Sequence, residues 1–192
     1  MTAILRTSWL YGRRNEKSFV HRFSRALAYA LMEGRKLDVP DDEISLPTST
    51  GSLLRMAKLV IDQDLHGVMH AVSRGHAGLL PSNQVPSRWR WAHEIGSVMW
   101  IEWEKRKDKG ETTEAEDLVW GKYDKILSIV KKTGGKTDEW RPAYSAMLVS
   151  ESLRSASIDW IDDLDGFLGG EYGAEWSRRI CAEASGQSSR PL

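Results

Sequence analysis

Hydrophobic positions along this chain fall into short runs whose period changes, and each change marks an element. Residues 3–10 (AILRTSWL) alternate weakly and carry the β-prone Ile4, Leu5 and Trp9, which predicts one strand ending near Gly12. After the polar stretch RRNEK, residues Phe19, Val20, Phe23, Leu27, Ala30 and Leu31 recur at helical spacing. His21, Arg22 and Arg25 are assigned to the opposite face, and Gly34 stands where such a helix ends. KLDVPDDEISLPTST is extended, because Pro40 and Pro47 bias the residues before them away from helix. Ser49 or Thr50 caps a helix over roughly 51–62 that buries Leu53, Leu54, Ala57, Val60 and Ile61. GVMHAVS, bounded by Gly67 and by Arg74-Gly75, reads as a strand of the buried type.

The second half is less regular. GHAGLLPSNQVPS is a loop, and Ser87 caps a helix that turns Trp91, Ile95, Val98 and Met99 inward. From Glu102 to Asp117 a basic run (KRKDK) is followed by an acidic one (ETTEAED); the signs cancel locally, which predicts a solvated helical hairpin. KILSIVKK is a short strand, TGGKTDEW a turn-rich loop and RPAYSAMLVS extended. Ser150 starts a helical turn, and Asp159 caps a last helix with Ile161, Leu164, Phe167 and Leu168 inside. The tail SGQSSRPL has nothing to bury and is expected to be disordered. The expected organisation is therefore one domain over 1–184, with a charged helical insertion at about 96–122 and a disordered tail at 185–192.

Composition narrows the function classes. Hydrophobic residues make up 41% and charged residues 28% of the 192, as in an ordinary globular chain. Twenty-seven basic residues balance twenty-seven acidic ones, so no global field draws in nucleic acid or an anionic membrane. Cys181 is the sole cysteine, which excludes an internal disulfide and a cysteine metal cage; no leader peptide is evident, and a cytoplasmic setting is expected. The five histidines show no metal-ligand spacing, since His66 and His70 flank a strand pattern that puts them on no common helical face. Cys181 has no helper histidine nearby, and Ser8 lacks the context of a nucleophile elbow.

Four stretches, in order, resemble the C-terminal, substrate-binding part of the dTDP-4-dehydrorhamnose reductases, a family of extended short-chain dehydrogenases. ILRTSWLYG is similar to the strand and Trp-containing loop after that family's catalytic helix. VPDDEISLPTST resembles its Asp-Asp-Gln-x-Gly-x-Pro-Thr segment, and GVMHAVSRG its next strand. RPAYSAMLVSESL resembles its Arg-Pro-x-Tyr-Ser segment, with DWIDDLDGFL in place of its final helix. Three departures stand out: Glu43 replaces a Gln, Ser45 a Gly, and Ser52 the usual Asp at the start of the next helix.

The resemblance implies an α/β fold: partial Rossmann-like sheet strands plus the small substrate-binding domain of an extended short-chain dehydrogenase. It also implies a sugar-nucleotide ligand, a dTDP-sugar, with three candidate substrate-binding residues. Trp9 matches a Trp beside the substrate, where an indole can wall a sugar ring; the other reading is a domain-interface Trp. Thr48 offers a hydroxyl to the sugar or caps the next helix. Arg141, ahead of Pro142, clamps a diphosphate with its guanidinium or forms a surface ion pair.

The cofactor half of such an enzyme is not legible. No G-x-G-x-x-G turn occurs, and Tyr11, Tyr29, Tyr123, Tyr144 and Tyr172 are followed four residues later by Asn15, Glu33, Leu127, Leu148 and Trp176 rather than Lys. No catalytic residue and no cofactor are therefore expected in this chain alone, with NADPH or NADH bound only if another chain completes it. The strand at 3–10, short of some of the neighbours its parent sheet would give it, is expected either to pair with another protein chain or a second copy, or to become mobile. The alternative is a non-catalytic interaction module, or a decayed remnant of a reductase.

Overall fold

A computed structural model describes residues 2–75, 85–122, 129–133 and 149–187. The first expected strand is two strands. β1 (Ala3–Arg6) runs parallel to β5 (Gly67–His70), with Ile4 opposite Val68 and Leu5 opposite Met69. β2 (Leu10–Tyr11) runs parallel to β4 (Thr48–Ser49). Between β1 and β2 the chain turns at Trp9, whose φ is +34°, a conformation a bulky side chain adopts at a cost of about 1–3 kcal/mol. A third parallel pair joins β3 (Leu37–Pro40) to β6 (Val130–Thr133). With the helices between them, these short parallel strands give the expected α/β class.

α1 (Phe19–Glu33) forms where the 3.6-residue spacing placed it and buries Val20, Phe23, Leu27, Ala30 and Leu31. It ends at Gly34, whose φ of +68° lets the N–H of Arg35 reach back to the Ala30 carbonyl at 3.2 Å. His21 departs from expectation: it is buried, because its ring nitrogens meet Ser18 Oγ at 2.8 Å and the Tyr172 hydroxyl at 2.5 Å. α2 (Thr50–Asp62) is capped by Ser49, whose hydroxyl accepts from Ser52 N at 3.0 Å. Its buried face is Ser52, Met56 and Val60, which leaves Leu54 and Ile61 exposed rather than buried. β5 is not of the fully buried type either: Met69 is buried, but Gly67 and Val68 face outward.

α3 (Arg88–Lys107) is capped by Ser87 and buries Trp91, Ile95, Val98 and Met99 as expected. α4 (Glu114–Trp120) completes the hairpin, which is not merely solvated. Glu116 is fully buried, accepts from Arg106 at 2.6 Å and from Ser177 Oγ at 2.8 Å, and closes a capping box with Thr113. After a 3₁₀ turn at Glu151–Leu153 comes α5 (Trp160–Leu168), capped by Asp159. α5 is not the last helix. α6 (Glu171–Ala184) follows and buries Trp176, Ile180 and Cys181 against α1 and α4. Burial pushes the Cys181 thiol far above its ordinary range, so it is inert as a nucleophile.

The helices α1, α3, α4, α5 and α6 enclose one aromatic-rich core in which Trp91, Trp120 and Trp160 are fully buried. A second, smaller cluster (Met56, Val60, Met69, Ala71 and Leu153) lies under α2, β5 and the 3₁₀ turn. The tail beyond Gln187, residues 76–84 of GHAGLLPSNQVPS, 125–128 of KILSIVKK, 134–140 of TGGKTDEW and most of RPAYSAMLVS, including Arg141, lie outside the described residues.

Candidate functional site

The turn that links β2 to α1 separates two clefts. The first is built around Trp9. Residues 43–45 pair with residues 86–88: Ile44 bridges Ser87, and Arg88 N donates to the Glu43 carbonyl at 2.8 Å. That pairing carries the Arg88 side chain across the Trp9 ring, 4.5 Å from its centroid, and over Phe19 at 4.8 Å. Trp9 stacks in turn on Trp91, with centroids 5.3 Å apart and planes within 10°. The resulting cleft, about 230 Å³, is lined by Trp9, Leu10, Lys17, Phe19, Arg22, Arg88 and Trp91. Flat aromatic faces beside three cationic side chains suit a ligand with a ring system and an anionic group.

Two of the departures from the family pattern are compensated here. Glu43 forms an ion pair with Arg88 Nε, so its charge is met within the chain. The Ser45 hydroxyl, buried, hydrogen-bonds the hydroxyl of Ser8. The third departure, Ser52, belongs to a buried polar node. Asp163 on α5 accepts from Ser49 N (2.8 Å), Ser49 Oγ (2.7 Å), Ser52 Oγ (2.8 Å) and Ser73 Oγ (3.0 Å). A carboxylate is thus present at the start of α2, but it comes from another helix. The first turn of α2 stabilises it through the helix dipole.

The second cleft, about 630 Å³, opens at the carboxyl ends of β2 and β4. Gly12, Arg13, Arg14 and Asn15 form one wall, Ser49, Thr50, Gly51 and Arg55 another, and Ile158, Asp163, Gly166 and Phe167 close it. A Cβ on Gly12 would stand 2.3 Å from Thr50 Oγ1, so the turn approaches α2 as closely as it does because residue 12 has no side chain. Behind this wall, His21 and Tyr172 hold the turn in place. Tyr172 donates to the Arg13 carbonyl at 3.1 Å, which leaves His21 Nε2 as donor to Tyr172 and Nδ1 as acceptor from Ser18. Desolvation keeps the His21 pKa below its ordinary value, consistent with this neutral ring.

Of the residues expected to contact substrate, Trp9 lines a cleft and Arg141 lies outside the described residues. Thr48 does not cap α2 and lines neither of these two clefts. It is fully buried, accepts from Ser73 N at 2.9 Å and donates to the Leu46 carbonyl at 3.4 Å. Lys17, Arg22 and Arg88 were not singled out from the sequence; the signal available was a cation on either side of the aromatic pair Phe19 and Trp91.

The family whose description is RmlD substrate binding domain matches residues 1–101, more than half of the chain. The chain belongs to that family. Every residue lining the Trp9 cleft falls inside the matched segment. Among curated proteins, 75 residues are 37% identical to a probable dTDP-4,6-dihydroxy-2-methyloxan-3-one 4-ketoreductase of Streptomyces antibioticus, covering 38% of this chain and 24% of that protein. Two solved dTDP-4-dehydrorhamnose reductases share the fold. That of Clostridium acetobutylicum has a TM-score of 0.53 at 24% identity over 86% of this chain and 47% of its own. That of Bacillus anthracis, solved in complex with NADP, has 0.55 at 22% identity over 86% and 46%. The chain thus spans about half the length of these solved relatives and a quarter of the curated one.

The residues described here do not fit a dinucleotide. The turn after β2 has one glycine, Gly12, and the first turn of α2 has one, Gly51, where a pyrophosphate approaching a helix through a Gly-rich turn needs several. Among the described residues no helix is long and apolar enough to cross a membrane, and no His, Cys, Asp and Glu cluster could hold a metal.

Proposed function

We propose that this chain is the sugar-nucleotide-binding portion of a dTDP-4-dehydrorhamnose reductase-like protein, acting in nucleotide-sugar metabolism in the cytoplasm. The observation that carries the reading is the coincidence of the family match with the Trp9 cleft, whose aromatic and cationic lining suits a dTDP-sugar. In this reading Trp9 walls the sugar ring. Arg88, fixed by Glu43, and the exposed Lys17 and Arg22 meet the diphosphate, and Arg141 adds a further clamp. Thr48 acts indirectly by tying β4 to Ser73. These residues bind and orient; they supply no hydride and no proton to a carbonyl.

Reduction then depends on a cofactor-binding half carried outside residues 1–192, which would bring NADPH or NADH and the Tyr-x-x-x-Lys pair. The open edge of the β1–β5 pair, with Ile4 and Val68 half exposed side by side, is where such a half or a second copy would dock. Ligand-observed NMR with a dTDP-sugar tests the reading. Saturable binding is expected, weakened about tenfold by Trp9→Ala or Arg88→Ala, and more by Arg141→Ala than by Lys122→Ala. Equal effects of the last two would return Arg141 to a surface ion pair. No binding by the wild type would favour the interaction module instead.

A further inference from the structure

The Arg88 guanidinium is held at one edge and open at another. Its central carbon lies over the Trp9 and Phe19 rings, 4.5 Å and 4.8 Å from their centroids. Its Nε pairs with the Glu43 carboxylate. Nη1 and Nη2 take part in no hydrogen bond or ion pair among the described residues, and neither is sealed from solvent. A guanidinium tied at Nε offers its remaining edge as a fork that fits two oxygens of a phosphate.

What Glu43 adds to that arrangement is charge. A glutamine oxygen in its place would accept from Nε and could hold the guanidinium where it is. The carboxylate does this and also offsets much of the guanidinium's charge, while leaving its free donors in position. Lys17 and Arg22, the other cations of the cleft, are exposed and form no ion pair among the described residues. Arg88 alone has a carboxylate bonded to it. A phosphate esterified on both sides, as in a sugar nucleotide, carries a single negative charge. A terminal phosphate, as in a free nucleoside diphosphate, carries about 1.5–2 at pH 7. On the Arg88 fork that extra charge meets the Glu43 carboxylate across the width of one guanidinium, well inside the screening length of physiological salt.

We infer that Glu43 is a specificity-determining positioning residue of the Trp9 cleft. It turns the Nη edge of Arg88 toward the ligand, and its charge discriminates against a terminal phosphate. Within the sugar-nucleotide reading, on which this rests, the cleft favours the nucleoside diphosphate with its sugar attached. The free nucleoside diphosphate, with the same base and the same two phosphates, is selected against by Glu43.

Calorimetric titrations of the full chain with dTDP and with dTDP-glucose, in the wild type and in Glu43→Gln, test the inference. The Glu43 side chain is 34% exposed, so the near-isosteric change does not threaten folding. At about pH 8 the affinity for dTDP relative to dTDP-glucose should rise about threefold in Glu43→Gln. At about pH 5.5 the terminal phosphate has lost much of its second charge, and the substitution should move that ratio by less. A role confined to holding Arg88 in place would weaken both ligands alike. An unchanged or lowered ratio at the higher pH, or a rise of equal size at both, would overturn the inference. Heat from neither ligand in the wild type would overturn the sugar-nucleotide reading itself, and the role of Glu43 with it.

Discussion

The helical body and the small β1–β5–α2 lobe treat the same kinds of side chain in opposite ways. In the body, five tryptophans and a run of leucines, isoleucines and valines are sealed between five helices. In the lobe, Ile4 (52%), Val68 (54%), Leu54 (71%) and Ile61 (79%) stay exposed around a buried cluster of five residues. Isolated apolar residues on a surface are ordinary; here Ile4 and Val68 are paired side by side on the sheet face turned away from α2, and Leu54 and Ile61 lie on the outer side of α2. The body therefore carries most of the buried core, while the lobe leaves more of its apolar side chains exposed.

The largest expected contrast is in stability. Trp91→Ala should cost about 3–5 kcal/mol, because it hollows the core beneath Trp9, Tyr11 and Phe19. Leu54→Ser and Ile61→Ser should each change stability by no more than about 0.5 kcal/mol in the isolated chain. Urea denaturation decides this, and similar costs in both regions would break the comparison. Next comes the seam between the regions, where Asp163 of the body holds Ser49, Ser52 and Ser73. Asp163→Ala should cost about 1–3 kcal/mol by leaving buried hydroxyls without an acceptor, and Asp163→Asn less. If neither variant shifts the urea midpoint, the node does not join the two parts.

A smaller effect concerns pH. Desolvation lowers the folded-state pKa of His21 below 6.5, so the unfolded chain binds its proton first as the solution is acidified. Its contribution to stability is full above the unfolded value and is lost as pH falls from there through the folded value. The stability of the wild type should decline over that window, and His21→Gln should flatten the decline. An unchanged slope would show that other groups control it.

How much of this was legible in the sequence depends on what fixes each element. α1 and α3 were readable because apolar spacing and the Gly34 and Ser87 signals agree. The face of α2 was misread because Ser52, a polar residue, is drawn inward by Asp163 from a helix more than a hundred positions away. The break at Trp9 has no local signal, since no neighbouring residue marks a positive φ at an indole, and the groups it packs with, the Trp91 ring and the Arg88 guanidinium, come from far along the chain. α6 was overlooked because GluTyrGly and ArgArg dilute its pattern, although Trp176, Ile180 and Cys181 lie on one face. The arginine cleft was invisible for a simpler reason. Arg13 and Arg55 line one cleft only after β4 pairs with β2.

The central claim is that this chain binds the sugar nucleotide and not the cofactor. Calorimetric titration of the intact chain with a dTDP-sugar and, in parallel, with NADPH tests it most directly. Saturable heat with the dTDP-sugar, lost in Trp9→Ala, and none with NADPH is the predicted result. Saturable NADPH binding, or silence with the dTDP-sugar, would contradict it.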